Sequence, residues 1–218
     1  MRVSLAPRAL AGYLAGQLNA FFPDGHPVAV DDLLPHLDAI LARVERCFVR
    51  IANKYFCDGD EAVFSHLHGD QYAMFLYLAA NSLWRAGRPP GLCAKLFLLN
   101  KALHGLDAFY EVELPAVFLF VHPLGTVLGR GRYGDYFCVY QRCGIGSNHD
   151  VYPMLGQGVT LRPGASVLGR CQVGDDCTIA AESLLLDRDL PAGSLYIGNP
   201  RDCSERPGAV RPAIWRLP

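Results

Sequence analysis

The chain has 218 residues, 51% hydrophobic and 19% charged, with twenty Lys and Arg against twenty-one Asp and Glu and a net charge of -1. That composition excludes a disordered chain and is long enough to bury a sizeable core. It offers no charge excess for nucleic acid or an acidic membrane surface. The longest strongly apolar stretches, such as 72–80 and 114–121, are too short to span a bilayer. The opening MRVSLAPRALAGYLAGQ lacks the unbroken apolar segment of a secretory signal. Eight cysteines without a single CxxC pair read as small buried hydrophobes, so a reducing, cytoplasmic setting is expected.

The first half has helical periodicity. Leu37, Ile40, Leu41, Val44, Phe48 and Ile51 fall on one helix face, with Asp31 and Asp32 to cap its start and Pro35 in its first turn. A second helix is predicted over 72–86, stopped by Gly87, Pro89 and Pro90. A third spans 92–104 and stops at Gly105. A helical domain over 1–106 follows. Glycine then becomes denser, with eight before residue 125 and fourteen from there on.

The second half carries a repeat of six. Leu155, Leu161, Val167, Val173, Ile179 and Leu185 recur at that spacing, with small residues between them. A period of six fits neither a helix nor a hairpin. It fits a β-helix in which each aliphatic points inward and stacks on its equivalents in neighbouring coils. An earlier run, Val121, Val127, Tyr133, Val139, Ile145 and Val151, is out of phase with it, so a loop is expected around 146–153. The fold class is therefore α+β: a helical N-terminal domain, a parallel β-helix over 107–200 and a C-terminal tail over 201–218.

Here the sequence resembles the hexapeptide-repeat acyltransferases, and among them the serine O-acetyltransferases. SLWRAGR looks like that family's helix ending, VHPLGTVLGRGRYGDYFCVYQRCGIG like its first coils, and YIGNPRD like its closing turn. The resemblance implies a left-handed β-helix and an O-acetyltransferase that uses acetyl-CoA as co-substrate. It implies a homotrimer or a dimer of trimers; exposed Phe118, Phe120, Tyr136 and Tyr140 would supply the interface.

The family's catalytic histidine falls on His122, and its orienting aspartate on Asp107, fifteen residues earlier. A hydroxyl is a poor nucleophile, so a base must take its proton as it attacks the thioester. Imidazole suits that task, and a carboxylate on the other ring nitrogen fixes its tautomer. Gly146 is the expected oxyanion donor. Gly164, Ala165, Ala180 and Ala181 would let the pantetheine arm approach, and Arg201 would meet the CoA phosphates. No metal is implied, since the repeat region holds only His122 and His149 as histidines.

The departures from the family concern the acceptor. Val121 stands where the family has an aspartate, and Val151-Tyr152-Pro153 where it has Arg-His-Pro. A serine zwitterion needs partners for its ammonium and carboxylate. Asp70, His66, His68 and Arg85 are candidate substitutes, with His149 and Tyr152 from the loop. His149 reads either as an acceptor ligand or as a solvated loop residue. A sugar or other hydroxyl acceptor fits the more apolar pocket, and a non-catalytic assembly module is the reading from a different class. The chain ends AIWRLP. Its Pro218 departs from the isoleucine-ended tail by which the family docks a partner enzyme.

Overall fold

The computed structural model describes residues 1–208, 211 and 213–217, so Pro218 lies outside the described residues. Strand β1 (Arg2–Val3) is followed by helices α1 (Pro7–Phe21) and α2 (Val30–Phe48). The hairpin β2 (Cys57–Asp58) and β3 (Glu61–Phe64) comes next, then α3 (Gly69–Arg85) and α4 (Pro90–His104). The predicted face is buried throughout, from Leu37 to Phe48 within α2 and at Ile51 just beyond its end. The helix starts earlier than predicted, so Pro35 lies inside it rather than in its first turn. Its entry is held by Asp32, whose carboxylate accepts from the Ala29 N–H at 2.8 Å. Helix α1 and the β1–β3–β2 sheet had no counterpart in the sequence reading. Gly105 closes α4 at φ 62°, as a left-handed C-cap.

From Asp107 the chain winds into a parallel solenoid with three faces. One face stacks β4 (Asp107–Ala108), β6 (Val127–Leu128), β9 (Gly144–Gly146), β12 (Ser166–Leu168) and β15 (Leu184–Leu186). A second stacks β5 (Phe118–Phe120), β8 (Phe137–Val139), β11 (Thr160–Leu161), β14 (Thr178–Ile179) and β16 (Ser194–Asn199). The third stacks β7 (Arg132–Tyr133), β10 (Met154–Leu155) and β13 (Gln172–Val173). Strand β17 (Asp202–Pro207) returns antiparallel on β16, so the sheet runs past residue 200. The six aliphatics from Leu155 to Leu185 are all buried. Inward stacking by them is the physical origin of the six-residue period.

The earlier run behaves this way only in part: Tyr133, Val139 and Ile145 stand in register with Leu155, Leu161 and Val167. Val127 and Val151 are exposed, and Phe120 and Leu128 take the inward positions instead. Phe118 and Phe120 are fully buried, which corrects the expectation that they form an exposed interface; Tyr136 and Tyr140 are partly buried. Phe118 packs edge-on to Tyr77 of α3, with centroids 5.7 Å apart. The Tyr77 hydroxyl donates to the Val112 carbonyl at 2.6 Å and accepts from the Leu114 N–H at 2.9 Å. Cys47 Sγ of α2 donates to the Phe118 carbonyl at 3.0 Å. These contacts weld the helices to the first coil.

Beyond β17, Arg211 meets the solenoid, and Ile214, Trp215 and Arg216 meet the segment that follows α2. Arg211 Nε meets Asp176 Oδ1 at 2.5 Å, and the Ile214 carbonyl accepts from the Ala52 N–H at 2.6 Å. Trp215 is buried opposite Ile51. All eight cysteines are free, seven of them buried and Cys203 half-buried. Among the described residues no helix is long and apolar enough to cross a membrane.

Candidate active site

The corner between the β5–β8–β11–β14 face and the next one holds four residues in three coils: 140–143, 162–165 and 180–183. In the first coil it holds six, 121–126. In register, Gly125, Arg142, Gly164 and Glu182 share the left-handed conformation that the bend requires, with φ between 56° and 76°. The two extra residues put His122 outside that stack, with its own φ at 48° and its side chain exposed.

His122 faces the N-terminus of α3. Its backbone N–H donates to Asp70 Oδ1 at 3.1 Å, and its ring Nδ1 lies 3.6 Å from the same oxygen. The ring contact is too long for a hydrogen bond. The Asp70 side chain is 14% exposed. Burial raises its carboxyl pKa, opposed by the charge and backbone N–H of His122. His122 and Asp70 share a cleft of about 170 Å³ with Asn53, Tyr55, Phe56, His68, Leu119 and Val121. His68 is the N-cap of α3, where its Nδ1 accepts from Gln71 N at 3.4 Å. His66 bonds Ser4 Oγ at 2.8 Å and does not line the cleft.

The predicted Asp107–His122 pair is not formed. Asp107 Oδ2 takes Lys101 Nζ at 2.6 Å. In register Asp107 pairs with Val127, not with the corner that carries His122. Asp107, Gly146 and Tyr152 come together on a different concavity, about 360 Å³, with Phe109, Val127 and Arg130. His149 is exposed on the loop after β9, where Asn148 and Val151 bridge. His149 and Asp150 both have positive φ. The loop is pinned by Asn148 Nδ2 on Asp187 Oδ2 at 2.5 Å.

Of the residues expected to admit the pantetheine arm, Ala165 is fully buried and turns its methyl inward. Gly164 is roofed by the Glu182 carboxylate, which pairs with Arg142. Ala180 and Ala181 remain accessible on the same edge of the solenoid as His122, and Arg201 is exposed in the β16–β17 turn. Asn53, Tyr55 and Phe56 were not anticipated; the irregular segment between α2 and β2 carries no motif. Among the described residues no group of three or more His, Cys, Asp or Glu could hold a metal ion.

The structure superposes on a serine acetyltransferase from Vibrio cholerae over 94% of this chain and 82% of that one, with a TM-score of 0.72 and 20% identity. A serine acetyltransferase in complex with CoA matches over 91% of this chain and 84% of its own, with a TM-score of 0.71 and 20% identity. The fold is that of the serine acetyltransferases. In sequence the chain is 29% identical to serine acetyltransferase 4 of Arabidopsis thaliana over 162 residues, 70% of this chain and 45% of that protein. It is 27% identical to the serine acetyltransferase of Mycobacterium tuberculosis over 155 residues, 67% of this chain and 66% of that protein. The chain thus spans less than two thirds of these relatives' length. No protein-family model matches it.

Proposed function

We propose that this chain is an acetyl-CoA-dependent O-acetyltransferase in which His122 is the general base. The observation that carries the proposal is His122 on its lengthened corner, facing Asp70 at the mouth of a small cleft. With Nδ1 turned to Asp70, Nε2 is the nitrogen left for the acceptor. The acceptor hydroxyl attacks the thioester carbonyl as its proton passes to Nε2. The tetrahedral intermediate then collapses, the C–S bond breaks, and the CoA thiolate takes that proton back. The products are the acetyl ester and free CoA thiol. Backbone N–H groups near Gly146 are the proposed oxyanion donors, contributed by a neighbouring subunit's coil. Ala180, Ala181 and Arg201 are proposed to line the CoA path.

The lining of the cleft favours an acceptor other than free serine. It offers one carboxylate, Asp70, and no arginine or lysine, beside Tyr55, Phe56, Leu119 and Val121. A free carboxylate on the acceptor would lose its hydration there without an arginine or lysine from this chain to pair with. A sugar or other hydroxyl compound avoids that cost. Incubation with acetyl-CoA and a panel of serine, blocked serine and sugar acceptors, with thiol release as the readout, is expected to give acceptor-dependent turnover. The absence of any across the panel would overturn the assignment.

A trimer is part of the same proposal. Phe109, Val127 and Tyr152 are exposed apolar residues lining the concavity that holds Asp107 and Gly146. A second copy covering that surface brings its own corner toward it. Light scattering is expected to give three times the chain mass or a multiple of it; an active monomer would remove the shared site.

A further inference from the structure

Three arginines unused by the proposed reaction converge on one cavity at the far end of α3. Arg43 and Arg46 come from the C-terminal half of α2 and Arg85 from the last turn of α3. With Leu78, Leu114, Pro115 and Ala116 they line about 250 Å³. Arg43 is fixed in place, donating to Ser82 Oγ at 2.5 Å, Asn81 Oδ1 at 2.9 Å and the Leu78 carbonyl at 3.5 Å. Among the described residues Arg85 approaches one carboxylate within ion-pair distance, Glu113 at 3.9 Å, with both side chains about half exposed. Arg46 is exposed and meets no carboxylate within ion-pair distance among the described residues.

Three guanidinium charges against one carboxylate leave an excess of two positive charges on a partly apolar concavity. Bringing like charges together is unfavourable, and the more so beside a low-dielectric wall. Burial, and with it the charge of Arg85, already holds the Arg43 guanidinium below its ordinary pKa. Guanidinium forks match the oxygens of a phosphate in geometry as well as in charge. A single carboxylate would offset only one of the two excess charges.

We propose that this cavity binds a dianionic phosphate group, either inorganic phosphate or a small phosphomonoester. Its volume exceeds that of phosphate alone, which leaves room for a short ester chain against Leu78, Leu114 and Pro115. Asp70 and Arg85 are fifteen residues apart on α3. At ~1.5 Å per residue that is about 22 Å, so a phosphate here does not enter the acceptor cleft.

The test is isothermal titration of the full chain with inorganic phosphate and, separately, with glycerol phosphate, at constant ionic strength and without acetyl-CoA. One saturable site is expected. Arg46→Gln and Arg85→Gln replace solvent-facing side chains and should each weaken it about tenfold, the scale of one lost charge-assisted hydrogen bond. Arg206→Gln, on exposed β17, should leave it unchanged. Binding of both ligands assigns the site to phosphomonoesters, and binding of inorganic phosphate alone assigns it to the free ion. No saturable binding of either ligand, or binding undiminished in both cavity variants, overturns the proposal. Because the readout needs no turnover, a failed acetyl-transfer assay would leave this result standing.

Discussion

His122→Ala is expected to lower kcat by about 10²–10⁴-fold, the usual contribution of a positioned general base. The KM for acetyl-CoA should change little, because the base acts in the chemical step and not in holding the thioester. His122 is exposed and makes no core contact, so the variant should melt where the parent does. Asp70→Asn separates the two carboxylates that compete for the orienting role. If Asp70 holds the ring, its loss weakens the charge-assisted bond from the His122 backbone N–H that positions it, worth ~1.5–3 kcal/mol. That corresponds to about tenfold to a hundredfold in kcat. Asp107→Asn chiefly removes the Lys101 pair, which is substantially exposed, and should cost less. A larger loss from Asp107→Asn than from Asp70→Asn would return the orienting role to Asp107. An unimpaired His122→Ala would leave the assembly-module reading in possession.

Phe118→Ala should be the most destabilising of the substitutions considered. The ring is fully buried between Tyr77 and Phe120, where the helical layer meets the first coil. Truncation of a buried phenylalanine costs about 3–5 kcal/mol through lost transfer energy and the cavity left behind. Domains of ordinary stability hold ~5–15 kcal/mol in total, so that is a large share. Urea denaturation is expected to show the midpoint falling sharply. A loss below about 1 kcal/mol would mean that the helices and the solenoid are not joined through this contact.

The solenoid was legible where its coils are uniform. From Leu155 to Leu185 the aliphatics keep step because every corner there permits the six-residue spacing. Upstream the period misleads. The link from β6 to β7 is one residue shorter than its equivalent between β12 and β13, and the loop after β9 is longer, so Val127 and Val151 look inward on paper and are exposed in the fold. Extra residues in the first coil explain the Asp107–His122 expectation. Fifteen residues is close to one coil by counting, but the first coil takes twenty to bring Asp107 into register with Val127. Asp70 lies fifty-two residues before His122, on a helix whose docking no local pattern encodes. Phe118 and Phe120 could not be told from interface residues by sequence, because what covers them is α3.

Corner length and strand register are independent of each other in this solenoid. The first coil carries a corner two residues longer than those stacked on it, yet Phe120, Val139, Leu161 and Ile179 still align across the same face. Insertions at a bend therefore leave the inward stack untouched, and the chain can acquire new side chains at its edge without a folding cost shared by the core. Selection for a different acceptor can act on 121–126 and on the loop after β9 almost separately from selection for stability. Varying the exposed loop after β9 and, on the corner, only Val121 and Leu124, with His122, Gly125, the buried Pro123 and Thr126 and every strand held constant, would keep the scaffold and change what it presents.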